Sequence, residues 1–269
     1  MKIYEIYDAE NEIEIGTLLY YEKEKAFVIE LSDKLDEWTA PLLLTSFVKR
    51  KTYTIPKDIS FDWIKERVIP SGRQNIGDIL KNSRLKEYDE MRLLELSDGK
   101  CSQDSMFIRR LAVLPEYVIE RQKFNLDDVC LLDEDRLLCI FKNDEVKLIE
   151  LSKLKNDVSK DIVHKVKMHR ALYESGKVGT GGYSLTFNDN LDISAAELYS
   201  IGVTLPISGE DMITFVRKNI FDTVESCREL ECTRQNLAYM NGKGQLTAIK
   251  ENVKGNLYLK GEVLKNRWD

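Results

Sequence analysis

Three short segments crowded into the first 31 residues constrain this chain most: KIYEIYD, IGTLLYYE and KAFVIEL. Each is rich in β-branched and aromatic side chains, each alternates in part between apolar and polar, and EKEK separates the last two. Such segments read as strands with a turn at EKEK. Helical patterns follow. ISFDWIKERVIP offers Ser60 as an N-cap, Trp63, Ile64, Arg67 and Val68 at helical spacing, and Pro70 as a stop. SGRQNIGDILKNSRL places Ile76, Ile79 and Leu80 on one helical face, and YDEMRLLELS ends at DGK. Strands followed by helices, without regular alternation, predict an α+β unit.

The length of 269 residues favours two or three such units. A second is expected near 125–205. VCLLDEDRLLCIFKNDEVKLIEL reads as strands around turns at DED and KND. VSKDIVHKVKMHRALYES reads as helix, and SLTFNDNLDISAAELYSIG as a strand, a turn at NDN and a short helix that Ser194 can cap. A third unit opens at SGEDMITFVRKNI, where Ser208 and two early acidic residues are good helix-start chemistry. The expected organisation is therefore α+β and multi-domain, with boundaries at 1–122, 123–207 and 208–269.

Composition excludes more than it assigns. A hydrophobic fraction of 43% with 32% charged residues is that of a soluble globular chain. The N-terminus has no basic region followed by an apolar run, and APLLL is far too short for a membrane span. A cytoplasmic protein without a membrane partner is expected. The five cysteines lack CxxC spacing and the two histidines offer little for zinc, so no metal or cofactor is implied and the thiols are expected reduced and mostly buried. GKVGTGGYS lacks the GK(S/T) ending of a phosphate loop and precedes a strand, so it reads as a turn. No HExxH, GxSxG or kinase catalytic-loop pattern is present. No enzyme is expected and no catalytic residue is assigned.

Charge is distributed unevenly. Net charge is -6 overall, but residues 212–269 hold ten basic and seven acidic residues, a balance of +3. That asymmetry points to an anionic partner for the C-terminal piece alone. Within it lies DTVESCRELECTRQNLAYMNGKGQL. A first helix is expected from Thr223, as cap, to Leu230, with Val224, Cys227 and Leu230 on one face. Glu231 and Cys232 make the turn. Thr233 caps a second helix whose buried side is Leu237 and Met240. Arg234, Gln235 and Asn236 then occupy its first turn, the position from which helix-turn-helix proteins reach base edges. Arg pairs bidentately with guanine, and Gln or Asn with adenine. LTAIKENVKGNLYL reads as a following hairpin.

This stretch resembles the winged helix-turn-helix of excisionases and MerR-family regulators, with TRQN in the recognition position and GQL at the hand-over to the wing. The resemblance covers about 50 residues. It implies binding to double-stranded DNA, with Thr233, Arg234, Gln235 and Asn236 toward bases and Tyr239, Lys243, Lys250, Lys254 and Asn256 toward the backbone; a homodimer is expected because one small head reads only a short site. The turn of that motif usually holds Gly where this chain has Glu231. Because Glu is not at home in a left-handed conformation, a turn of another type is predicted.

The central unit resembles a small bacterial domain associated with toxin–antitoxin-like genes, through FKNDEV and LDI…LY. IGTLLYYE…FVIEL, RVIPSGRQN and YDEMRLLELSDGKCSQDS are similar to the small N-terminal lobe of HipA-type toxin kinases. Together these resemblances imply a bacterial transcriptional regulator or antitoxin-like repressor. The alternative is an adaptor whose C-terminal helices bind a polypeptide. SGRQN at 71–75 repeats the Arg-Gln-Asn order and reads as a capped surface helix or a second contact surface.

Overall fold

The computed structural model describes residues 1–133, 135–246 and 249–250. By contacts these divide into two compact units. The first is 1–125 together with 178–184; the second is 126–177 together with the described residues from 185 onward.

In the first unit the three expected strands form as β1 (Lys2–Asp8), β2 (Ile13–Tyr21) and β3 (Ala26–Leu31). They are followed by α1 (Thr45–Lys49), β4 (Thr54–Ile55), α2 (Lys57–Lys65), α3 (Ile76–Asn82), α4 (Glu90–Leu96), β5 (Met106–Leu111) and α5 (Glu116–Gln122). The sheet order is β4-β3-β2-β1-β5, antiparallel throughout. β2 and β3 are buried on both faces, which is why β2 reads as a nearly continuous apolar run instead of alternating. Leu18 and Tyr20 enter the core with Trp63, Ile64 and Leu94. Thr17 and Tyr21 meet other partners: the Thr17 and Tyr117 hydroxyls lie 2.7 Å apart, and Tyr21 packs against Gly181. Gly181 has φ +65, and a Cβ there would lie 2.4 Å from the Tyr21 hydroxyl. The GTGG stretch is thus a packed turn leading into a strand.

Ser60 does not cap α2. That helix starts one turn earlier, after Pro56, and Ser60 is buried within it. Its hydroxyl accepts from the Ile29 N–H at 3.0 Å and donates to the Ile55 carbonyl at 3.2 Å. A hydroxyl that would cap an exposed helix here joins a helix to two strands. The helix also ends before Pro70, at Lys65. Ile76, Ile79 and Leu80 are half-buried on α3 as expected, while residues 71–75 are exposed.

In the second unit β6 (Leu126–Leu131), β7 (Arg136–Phe141) and β8 (Glu145–Glu150) form the expected strands. They precede α6 (Asp157–Lys167), α7 (Arg170–Glu174), β9 (Lys177–Val178), β10 (Ser184–Phe187), β11 (Leu191–Ser194), α8 (Ala195–Ile201) and β12 (Val203–Ser208). β12 completes an antiparallel sheet of order β12-β8-β7-β6. Ser194 stands at the N-cap of α8, but its side chain makes no cap hydrogen bond. Of the five free thiols only Cys139, on β7, is buried; Cys130 is exposed and the other three are half-buried. The expectation of mostly buried thiols does not hold.

The unit continues into α9 (Gly209–Asn219), α10 (Thr223–Glu229) and α11 (Arg234–Gly242). Ser208 caps α9 through a capping box with Asp211. The start of α9 is tied to the turn between β7 and β8: the Glu210 N–H donates to Asp144 Oδ1 at 3.2 Å. A Cβ on Gly209 would lie 2.8 Å from that oxygen, so the glycine permits the approach. No helix among the described residues is long and apolar enough to cross a membrane.

Candidate nucleic-acid interface

α10 is capped one residue earlier than its sequence suggests. Asp222 Oδ1 accepts from the N–H groups of Val224 at 2.7 Å and Glu225 at 2.8 Å, and Glu225 Oε2 accepts from the Asp222 N–H at 2.9 Å. This capping box leaves Thr223 as the first helical residue. A carboxylate reaches two amides that a threonine one position later cannot.

The turn is where the structure departs most from expectation. Glu231 has φ +49, so it does adopt the left-handed conformation that the motif usually gives to glycine. The Glu231 N–H donates to the Arg228 carbonyl at 3.2 Å and the Cys232 N–H to the Cys227 carbonyl at 3.0 Å. Those two bonds define a Schellman motif with Glu231 in the C′ position. Satisfying the last carbonyls of α10 outweighs the local cost of a left-handed glutamate, about 1–2 kcal/mol. α11 closes the same way around Gly244 at φ +70, with the Gln245 N–H donating to the Met240 carbonyl at 3.0 Å.

Thr233 caps α11 as expected, accepting from the Asn236 N–H at 3.3 Å. Leu237 and Met240 are half-buried, while Arg234, Gln235, Asn236, Tyr239 and Lys243 are exposed. The first turn of α11 thus presents its three long polar side chains outward together. Lys243 lies over the Tyr239 ring at 5.6 Å, and Lys250 is exposed. Lys254, Asn256 and the expected hairpin lie outside the described residues. On α10, Cys227 is half-buried but Val224 and Leu230 are exposed, so its three-residue apolar face is only partly used.

Charge separates between the two helices. Asp222, Glu225, Glu229 and Glu231 gather on and beside α10. From Cys232 to Lys250 the nineteen residues include no carboxylate and carry Arg234, Lys243 and Lys250. Among the described residues no carboxylate pairs with those three cations. Of these cations Arg234 opens the nine-residue helix, Lys243 caps its other end and Lys250 follows it; Arg234, beside the free N–H groups of the first turn with their partial positive charge, suits a polyanion.

A second polar cluster, not anticipated from the sequence, lies in the first unit. Glu30 on β3 is fully buried. Its Oε2 accepts from Thr54 at 2.8 Å and from Arg121 of α5 at 3.1 Å. Arg121 also donates to the Leu31 carbonyl at 2.7 Å and to Asp33, and lies over the Tyr53 and Tyr117 rings. Burial pushes the Glu30 carboxyl up, against the opposing effects of Thr54, Tyr183 and Arg121. Tyr183 is pushed up by burial and by Glu30 beside it, and its hydroxyl accepts from Gln122 at 2.9 Å. These bonds fasten α5 and residues 178–184 to the sheet. Glu30 and Arg121 stand 91 residues apart, and no local pattern pairs them.

No protein-family model, curated protein or solved structure matches this chain. Among the described residues no group of three or more His, Cys, Asp or Glu is placed to hold a metal ion.

Proposed function

We propose that α10 and α11 are the reading head of a sequence-specific protein that binds double-stranded DNA, a bacterial transcriptional regulator or antitoxin-like repressor. One observation carries this reading. The exposed first turn of α11 presents Arg234, Gln235 and Asn236 outward in a segment whose cations, Arg234, Lys243 and Lys250, have no carboxylate partner among the described residues. Thr233, Arg234, Gln235 and Asn236 face bases. Tyr239, Lys243 and Lys250, with Lys254 and Asn256, face phosphates, which position the helix without reading sequence. One small head reads a short site, and two heads in a homodimer gain both specificity and affinity.

The test uses the full chain against a duplex pool, followed by titration of the enriched sequence. Arg234→Ala should weaken the cognate complex by about 1–3 kcal/mol and relax selection at one base position. Lys243→Ala should weaken all duplexes and lower the slope of affinity against salt by about 1. Absence of any salt-sensitive duplex binding by the intact protein sinks this reading.

An adaptor role has one observation in its favour. Phe215, Phe221, Val224 and Leu230 of α9, α10 and the residues flanking α10 are 43–62% exposed. Several large apolar side chains exposed along one short segment favour a polypeptide partner. A stoichiometric protein complex that survives nuclease and loses affinity in Phe221→Ala would support it.

A further inference from the structure

We propose that Cys227 and Cys232 form a redox-sensitive dithiol that closes into a disulfide across the turn between α10 and α11. The backbone sets up the pairing. Cys227 and Cys232 occupy the two ends of the Schellman motif, joined by the 3.0 Å bond from the Cys232 N–H to the Cys227 carbonyl. Side chains at these two positions commonly touch, and here the Cys227 thiol is close enough to influence the Cys232 thiol. Cys232 immediately precedes Thr233, the N-cap of α11. It therefore stands between the end of one helix and the start of the next.

Neither thiol is buried. Partial desolvation and the nearby Cys227 thiol push the Cys232 thiol up. Two cysteines whose backbones are already hydrogen-bonded to each other need no large backbone movement to close a disulfide, and such movement is the usual obstacle to closing a cysteine pair. Cys139, by contrast, is enclosed on β7 and its thiol is pushed up by burial, so it is protected from the same chemistry.

The oxidant is a peroxide. One thiolate attacks it, the O–O bond breaks, and a sulfenic acid and hydroxide form; the hydroxide takes up the released proton as water. The second sulfur attacks the sulfenic sulfur, the S–S bond forms, the S–O bond breaks, and a second water leaves with the remaining thiol proton. Two thiols lose two electrons and two protons, and the peroxide is reduced to two waters. The product ties the end of α10 to the residue before the Thr233 cap and fixes how the first turn of α11 is presented.

The test is made on the full-length protein treated with hydrogen peroxide, alkylated and digested with trypsin. Cleavage after Lys218, Arg228 and Arg234 places Cys227 in peptide 219–228 and Cys232 in peptide 229–234. The expected product is these two peptides joined, two hydrogens lighter than their sum and separable by reductant. Oxidation should also slow amide exchange at Cys232 and Leu237 at least tenfold. Cys227→Ser and Cys227→Ala should abolish both effects. Full alkylation of both peptides after peroxide, or a link from Cys232 to any other thiol, overturns the proposal. The peptide readout is independent of duplex binding, so the two readings fail separately.

Discussion

Glu231 shows how a single residue departs from its local preference. Its left-handed backbone, at φ +49, is stabilised by two hydrogen bonds that close α10. Glu231→Gly should remove the side-chain strain, offset in part by the greater freedom of glycine in the unfolded chain. A net gain of about 0.5–1 kcal/mol is expected, read as slower amide exchange at Cys232. Glu231→Val should do the reverse, because a β-branched side chain tolerates this conformation least. Under the proposed DNA-binding function, removing this carboxylate from the turn before α11 should also raise non-specific duplex affinity at low salt.

Among the helices, caps and cross-element bonds decide what the sequence leaves open. Asp222→Ala removes the acceptor for two amides and breaks the capping box of α10. A cost of about 1 kcal/mol is expected, confined to local exchange over 223–230. α5 is held differently. Arg121→Ala strands the Glu30 carboxylate beneath it, and a loss of about 3 kcal/mol or more in denaturant unfolding is expected. Replacing both Arg121 and Glu30 by Leu should recover much of that loss, since breaking a buried pair costs more than replacing it with apolar volume. If the double variant is no better than Arg121→Ala, the pair is not the source of the cost.

Across the whole molecule, stability should depend on pH through carboxyls whose folded environments differ. Burial alone would raise the Asp8 carboxyl. Bonds from Ser105, from Asn11 and from the Glu10 N–H outweigh it and hold the carboxyl below the usual range. A depressed folded value means that the stabilisation is present above the ordinary carboxylate range and is lost as pH falls through the folded value. Glu30, pushed up by burial, acts in the opposite sense: stability falls as pH rises from the ordinary value through the folded one. Denaturation midpoints measured across pH should show a shallower acid limb in Asp8→Asn. They should show a shallower decline above the ordinary carboxylate range in Glu30→Gln.

Local chemistry made much of this legible in advance. The first three strands, the turns at EKEK and KND, the Ser208 and Thr233 caps and the α10–turn–α11 order follow from side-chain period and cap preference, which act within a few residues. The exposed first turn of α11 follows from the same rules. β5, β11, β12 and α5 were not legible. MFIRRL, LDIS and VTLPIS are short or weakly patterned, and pairing with β1, β10 and β8 makes them strands. Ser60 as a cross-strand link, the Glu30–Arg121 pair, the left-handed Glu231 and the backbone bond that joins Cys227 to Cys232 were likewise decided only in the folded structure. The sequence by itself determined the strongly patterned strands and helices, β1–β3 and α10–α11 among them, and which polar side chains would open α11. The folded chain decided which hydroxyls, charges and thiols meet. Those meetings join residues by hydrogen bonds and burial that become available only once distant segments, or the two sides of a closed turn, come together.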